Sequence, residues 1–217
     1  KVTKRYGATL AVDNASFEVA KGEVVGFLGP NGAGKTTTMR IITGSLGATE
    51  GEVSLDGKDV AAHPRETKAR IGYLPEVPPL YGDMTVRNYV RFAARLKGVE
   101  DIKGATEKVV AKVGLTKVAH RIVDHLSKGY RQRVGLAQAL VHDPEVLILD
   151  EPYSGLDPAQ RVEIRELLEQ LVNENRTIIL STHVLADIEA LAQKVVIINA
   201  GKIVGQGPIQ ELLAGMM

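Results

Sequence analysis

The stretch "VVGFLGPNGAGKTTTM", residues 24–39, constrains the fold more than any other, because it joins a short apolar run to a glycine-rich turn and then to a helix-forming segment. Its centre, Gly29 to Thr36, matches the pattern G-x-x-x-x-G-K-[ST]. Gly29, Gly32 and Gly34 let the backbone curl so that successive N–H groups point at phosphate oxygens, and the helix N-terminus adds positive potential. In that pattern Lys35 holds the β- and γ-phosphates and Thr36 ligates Mg²⁺.

Three further apolar runs lack polar alternation: "VLILD" (146–150), "TIILS" (177–181) and "VVIIN" (195–199). With "VVGFL" (24–28) they read as strands buried on both faces. "VVGFL" leads into "TTTMRIITG", and "VLILD" leads through Asp157-Pro158 into "RVEIRELLEQLVNE", whose Ile164, Leu167, Leu168 and Leu171 have helical spacing. That is a βαβ architecture with a mostly parallel sheet. Alternation in "ASFEVA" (15–20) and "EVSL" (52–55), with a turn at Asp56-Gly57, predicts an N-terminal antiparallel β-lobe. Between 81 and 140, Val86, Tyr89, Val90, Ala93 and Leu96 form one apolar helix face and "VGLAQALV" (134–141) another, which predicts an inserted helical lobe. "YLPEVPPLY" (73–81), with three prolines, reads as an extended connector between the lobes. The expected fold class is α/β, one domain over 1–217, with core and β-lobe at about 1–75 and 141–217 and the helical lobe at about 81–140.

Charge separates partner classes. The 27 Lys and Arg against 26 Asp and Glu leave a net charge of +1, so no basic field advertises a nucleic acid. The absence of Cys fits a reducing compartment, and the cytoplasm is the default expectation. No uninterrupted apolar run approaches the roughly 18 residues of a membrane span, and residues 1–20 lack the layout of a signal peptide. Work at a membrane would need a partner to supply the span. A chain that starts at Lys1 rather than Met is expected to be a fragment.

"VLILDEP" puts Asp150 and Glu151 at the C-terminal end of a buried strand, the ligand-binding edge of such a sheet. There Asp150 would take Mg²⁺, through water, and Glu151 would act as the general base that activates the attacking water. The competing reading, an acidic N-cap pair, suffers because Pro152 and Gly155 delay the helix to Asp157. His183 follows "TIILS" at another strand end, where an imidazole either contacts the γ-phosphate or serves structure alone. In "LSKGYRQR" (126–133), a Ser hydroxyl and backbone N–H at a helix start make an anion site, with Arg131 and Arg133 most simply solvated.

Taken in order, "KRYG" (4–7), "GPNGAGKTT" (29–37), "YLPE" (73–76), "LSKGYRQR", "VLILDEP", "SGLD" (154–157) and "STH" (181–183) resemble the motif set of an ABC-type ATPase, the nucleotide-binding subunit of ATP-driven transporters. The resemblance covers essentially the whole chain and implies a P-loop NTPase (RecA-like) core. It implies ATP held by Gly29, Pro30, Asn31, Gly32, Ala33, Gly34, Lys35, Thr36 and Thr37, with Tyr6 stacked on adenine and Glu151, His183 and Lys35 at the chemistry. Ser127, Lys128, Gly129 and Tyr130 would face the γ-phosphate of ATP bound by another protomer, and the Asp157 loop would cross the dimer interface. Such a homodimer, or a pair with another ABC ATPase, would sandwich two Mg·ATP and drive a transmembrane permease from the inner face of the membrane. The chain looks most like two-component exporters for drugs, polysaccharides or gliding motility; the rival readings are a soluble ABC protein acting on ribosome or nucleic acid and a non-hydrolysing regulatory module.

Four positions depart from the family. Lys128 and Tyr130 stand where Gly and Gln are commonest, Lys128 facing either phosphate or solvent. Glu76 replaces a Gln and reads as a metal ligand with Thr36 and Asp150, or as a solvated connector residue. Tyr153 stands where a small residue is more usual.

Overall fold

The computed structural model describes residues 1–214, and the chain begins with an antiparallel hairpin of β1 (Val2–Tyr6) and β2 (Thr9–Ala15) turned at Gly7. The alternation read at 15–20 therefore belongs mostly outside a strand. Phe17 and Val19 still bury their side chains against the core, so the burial period is present without the hydrogen-bonded ladder. The second hairpin is shorter than expected, pairing β4 (Ser54–Leu55) with β5 (Lys58–Asp59) around Asp56 and Gly57, both at positive φ. That conformation is the one a two-residue hairpin turn of this composition adopts.

Five strands run parallel: β3 (Val24–Leu28), β6 (Ile71–Leu74), β7 (Val146–Asp150), β8 (Thr177–Thr182) and β9 (Lys194–Asn199). An antiparallel β10 (Lys202–Pro208) completes a six-stranded sheet of order β10-β9-β3-β8-β7-β6. Successive side chains in β7 and β8 alternate between two cores. Leu147, Leu149, Ile178 and Leu180 enter one with the helical segments; Val146, Ile148 and Ile179 enter the other with Phe27 and Met39. Covering both faces is what lets these strands dispense with polar residues.

Helices α1 (Lys35–Ile42), α2 (Pro64–Arg70), α6 (Pro158–Val172), α7 (Ala186–Glu189) and α8 (Ile209–Ala214) connect or flank the strands. Between β6 and β7 lie α3 (Val86–Leu96), α4 (Ile102–Lys112) and α5 (Lys128–Leu140). Val86, Tyr89, Val90 and Ala93 are buried as their spacing predicts, whereas Leu96 ends α3 72% exposed, past the packed turns.

Tyr73 and Leu74 are not connector but the end of β6, which the sequence reading missed. Pro75 lacks the N–H a ladder needs, so the strand stops at Leu74 and the extended run begins there. β6 is the outer strand of its sheet. Its Ile71 carbonyl accepts from Lys97 Nζ at 3.3 Å and His142 Nε2 at 3.1 Å, and its Tyr73 carbonyl from Gln138 Nε2 at 2.8 Å. Burial pushes the His142 pKa down to about 4, which keeps the ring neutral with its proton on Nε2.

Candidate functional site

At the C-terminal end of β3 the chain turns through Gly29–Gly34 into α1. Gly29 is tightly enclosed, since a Cβ there would come within 2.4 Å of the Ile198 carbonyl oxygen. Gly34 holds φ 102° as the N-cap, and a Cβ would approach the Ala11 carbonyl to 2.5 Å, so no other residue fits. The Gly29 N–H donates to Thr182 O at 3.2 Å and the Gly201 N–H to Ala33 O at 2.9 Å, which pins the loop to the ends of β8 and the β9–β10 turn. Pro30, Asn31, Gly32 and Thr36 are exposed on the outer rim, Thr37 is half-buried, and Ala33 and Lys35 face inward. With no acidic residue in the first turn of α1, the positive end of the helix is not neutralised locally.

The structure brings Lys35, Glu151 and His183 into one contact set. Lys35 Nζ donates to Gly29 O at 2.7 Å and Pro30 O at 3.1 Å, and pairs with Glu151 Oε1 at 3.2 Å. His183 Nδ1 reaches both Glu151 oxygens, at 3.0 and 3.1 Å, while its ring stays half-exposed. Glu151 is buried and holds φ 48°, a left-handed conformation that aims its carboxylate into the loop. Its N–H donates to the carbonyl and the hydroxyl of Ser181, each at 3.1 Å, and that hydroxyl in turn donates to Asp150 Oδ1 at 2.5 Å.

Asp150 is fully buried, and its second oxygen, Oδ2, has no hydrogen-bond partner among the described residues. Burial pushes its pKa up, opposed by the Ser181 and Thr36 hydroxyls and reinforced by the charges of Glu76 and Glu151. A buried carboxylate with a spare oxygen, beside a threonine hydroxyl and a second carboxylate, suits a hard divalent cation. Among the described residues no three His, Asp or Glu side chains are grouped to hold a metal by themselves, so such a cation would also need other oxygen ligands. Glu76 is exposed, and its Oε1 accepts from Ser154 Oγ at 3.0 Å, which ties the connector to the loop after β7.

The Ser127–Tyr130 stretch is placed differently. Ser127 caps α5 through a long 3.4 Å contact with the Tyr130 N–H, and Ser127, Lys128 and Tyr130 are exposed. Gly129 is buried because α5 abuts α6: a Cβ would come within 2.8 Å of Gln160 Cδ. Lys128 lies over the "SGLD" loop, its Nζ 1.9 Å from where a Gly155 Cβ would stand. Among the described residues no hydrogen bond or ion pair joins Ser127–Tyr130 to Gly29–Thr37. Asp157 caps α6 in a capping box with Gln160, its Oδ1 accepting the Gln160 N–H at 2.9 Å. Tyr6 sits at the tip of the β1–β2 hairpin, half-exposed, with Lys4 Nζ 5.3 Å from its ring centre.

Arg133, expected to be solvated, is instead largely enclosed; it donates to Val113 O at 3.0 Å and pairs with Glu163 at 2.6 Å, joining α5 to α4 and α6. A second group, Tyr153, Arg161, Thr182 and Asp187, was not singled out in the sequence at all, apart from the unusual size of Tyr153. The only hint was an acidic residue four positions after His183 within the apolar run "VLADIEALA". A cavity of about 890 Å³ opens at the other end of the sheet among Phe17, Thr38, Ile42, Val146 and Thr177, away from all of these residues.

Comparison with known proteins agrees with the geometry. The profile of the "ABC transporter" family matches residues 12–154. The bacitracin transport ATP-binding protein BcrA of Bacillus licheniformis is 41% identical over 212 residues, covering 97% of this chain and 69% of that protein. Nod factor export ATP-binding protein I of Paraburkholderia xenovorans is 38% identical over 216 residues, covering 99% and 71%. Among solved structures, an ATP-binding subunit of an ABC transporter superposes with a TM-score of 0.87 at 29% identity, covering 99% of this chain and 90% of that one. The dimeric ABC transporter cassette MJ0796 superposes with a TM-score of 0.86 at 25% identity, covering 96% of each chain.

Proposed function

The chain belongs to the ABC transporter family as an ATP-binding, ATP-hydrolysing subunit, and on that premise we propose that two copies close head to tail on two Mg·ATP to drive a transmembrane exporter. Export is the reading because the relatives named for bacitracin transport and Nod factor export align with nearly all of this chain. No described helix is long and apolar enough to cross a membrane, so a permease would supply the span and this subunit would sit peripherally on the cytoplasmic face. In this reading residues 81–140 move as a helical lobe about the Pro-rich connector, carrying Ser127 toward the partner's nucleotide.

The observation that carries the hydrolytic assignment is the contact set in which buried Lys35 and Glu151 meet half-exposed His183 beneath the phosphate loop. Lys35 and the loop N–H groups bind the β- and γ-phosphates, and the phosphates compete with Glu151 for the ammonium. That exchange frees a Glu151 oxygen to accept a proton from the attacking water. His183, already directed at Glu151, would hold the γ-phosphate from the β8 side. Thr36, Asp150 and Glu76 would hold Mg²⁺, directly or through water, and the ion would neutralise charge on the phosphate oxygens. Tyr6 would stack on adenine, and Ser127, Lys128, Gly129 and Tyr130 of one protomer would cover the γ-phosphate of the other.

The test is Glu151→Gln, which keeps size and hydrogen bonding while removing the base. Phosphate release should fall by roughly 10²–10⁴-fold. Light scattering should then show a dimer that accumulates with Mg·ATP and not without it. Near-normal turnover in the variant would remove Glu151 from the chemistry.

A further inference from the structure

The mechanism above leaves one buried carboxylate unused. Asp187 is 3% exposed, and both of its oxygens are engaged: Oδ1 with Arg161 Nη2 at 2.6 Å, Oδ2 with the Thr182 hydroxyl at 3.0 Å. Those two partners lead to opposite sides of the site. Arg161 lies one turn into α6, its N–H donating to the carbonyl of the cap residue Asp157 at 3.0 Å, and its guanidinium stands 5.5 Å from the ring centre of Tyr153, two residues past Glu151. Thr182 immediately precedes His183; its hydroxyl oxygen also accepts the Val184 N–H at 3.1 Å, and its carbonyl receives the Gly29 N–H that opens the phosphate loop.

The His183 ring is half-exposed, and among the described residues its only hydrogen-bond partner is Glu151. Its direction depends on the backbone on either side: Thr182 is paired in β8, and the Val184 N–H is bonded to the Thr182 hydroxyl, which itself donates to Asp187. Packing alone does not require a charge at this place, because a buried ion pair replaced by apolar groups of similar volume is often neutral or stabilising. What the carboxylate adds is direction, two bonds to two different elements. Burial and the nearby Asp187 charge together push the Tyr153 phenol pKa up, so the ring faces the cluster as a neutral group.

We propose that Asp187 is a positioning residue that clamps the His183 turn to the Arg161 face of α6, so that the histidine and the Asp157 loop are held as one unit. The inference rests on the reading that His183 acts at the γ-phosphate and that the Asp157 loop meets the partner protomer. In a closed dimer the clamp would pass a displacement of the Asp157 loop to the His183 turn without touching nucleotide itself.

The experiment measures ATP turnover of the full chain for Asp187→Ala, Thr182→Val and His183→Ala, alone and combined, with thermal unfolding alongside. Asp187→Ala is expected to lower kcat by roughly tenfold with KM for ATP within about twofold, as for a mispositioned group. Added to His183→Ala, it should cost less than about twofold more, because both changes disable the same contact. Thr182→Val leaves the Asp187–Arg161 pair in place and cuts only the link to the histidine, so it should repeat both results even if Asp187→Ala folds poorly. A lowered melting temperature with normal kcat in folded Asp187→Ala and Thr182→Val overturns the proposal, as does a full multiplicative loss in the double variants. If His183→Ala itself turns over normally, the role of His183 falls and the clamp with it. A slow His183→Ala beside normal Asp187→Ala and Thr182→Val overturns the clamp alone.

Discussion

The helix that starts at Lys35 and the helix that starts at Lys128 both follow a glycine-bearing or serine-bearing turn, and neither has an acidic residue in its first turn. Their surroundings are opposite. Around Lys35 the chain makes its own contacts: two loop carbonyls, the buried Glu151 just past the end of β7, and beyond it the half-exposed His183 just past the end of β8. Around Lys128 the polar groups face outward, the serine cap is long, and among the described residues neither Lys128 nor the Tyr130 hydroxyl has a hydrogen-bond partner. In the proposed reading both turns bind anions, one organised from within the protomer and the other completed by groups from outside it, which is the asymmetry a head-to-tail dimer would resolve.

Four changes test that contrast. Lys35→Ala should have the largest effect, cutting hydrolysis by about 10³-fold or more, since it removes the phosphate cation and leaves Glu151 buried with His183 alone. Turnover above about a tenth of wild type would mean that the inner site does not depend on its cation. Ser127→Arg should lower hydrolysis by roughly 10–100-fold while ATP affinity of the isolated protomer, measured by calorimetry, stays within about twofold. A loss of affinity in the monomer would collapse the distinction between inner and outer turns. Glu76→Gln should raise the Mg²⁺ needed for half-maximal hydrolysis by about threefold at saturating ATP, with the fold unchanged; superimposable titrations would take Glu76 out of the metal shell. The smallest effect belongs to Tyr153, whose buried hydroxyl has no hydrogen-bond partner among the described residues. Tyr153→Phe keeps the ring under Arg161 and should leave stability equal or higher by about 0–1 kcal/mol, a melting shift of at most about 3 °C upward. A clear drop would show that the hydroxyl is bonded.

Much of this was legible in the chain because the determinants are local. The phosphate loop is one contiguous pattern, and β7 and β8 announce themselves as apolar runs because both of their faces are covered. The parts that were not legible depend on distant partners. β1 needs Ala15 and Thr9 to pair with Val2 and Tyr6, and past Ala15 the 15–20 segment keeps its alternation without a strand partner among the described residues. β6 is four residues long, contains Gly72 and ends at a proline, so its strand character comes from β7 alone. Arg133 reads as a surface cation until α4 and α6 close around it. Asp187 is invisible as a site element because its cation lies 26 residues earlier in the chain.

The outer strand β6 has a consequence for how this protein behaves in concentrated solution. An exposed strand edge is a template on which another chain can add a strand, and proteins blunt such edges or cover them. Here the coverage comes from side chains rather than from a lid of backbone. Lys97, His142 and Gln138 occupy the Ile71 and Tyr73 carbonyls, and Pro75 ends the strand. Substituting apolar residues for Lys97, His142 and Gln138 together would leave those carbonyls open to intermolecular pairing, so the triple variant should self-associate with time at high protein concentration while its catalytic loop remains intact. The same three side chains belong to the C-cap of α3, to α5 and to the turn after α5, so any opening of the helices away from the sheet also uncovers the edge, which makes tight docking of those helices a safeguard against aggregation as well as a part of the fold.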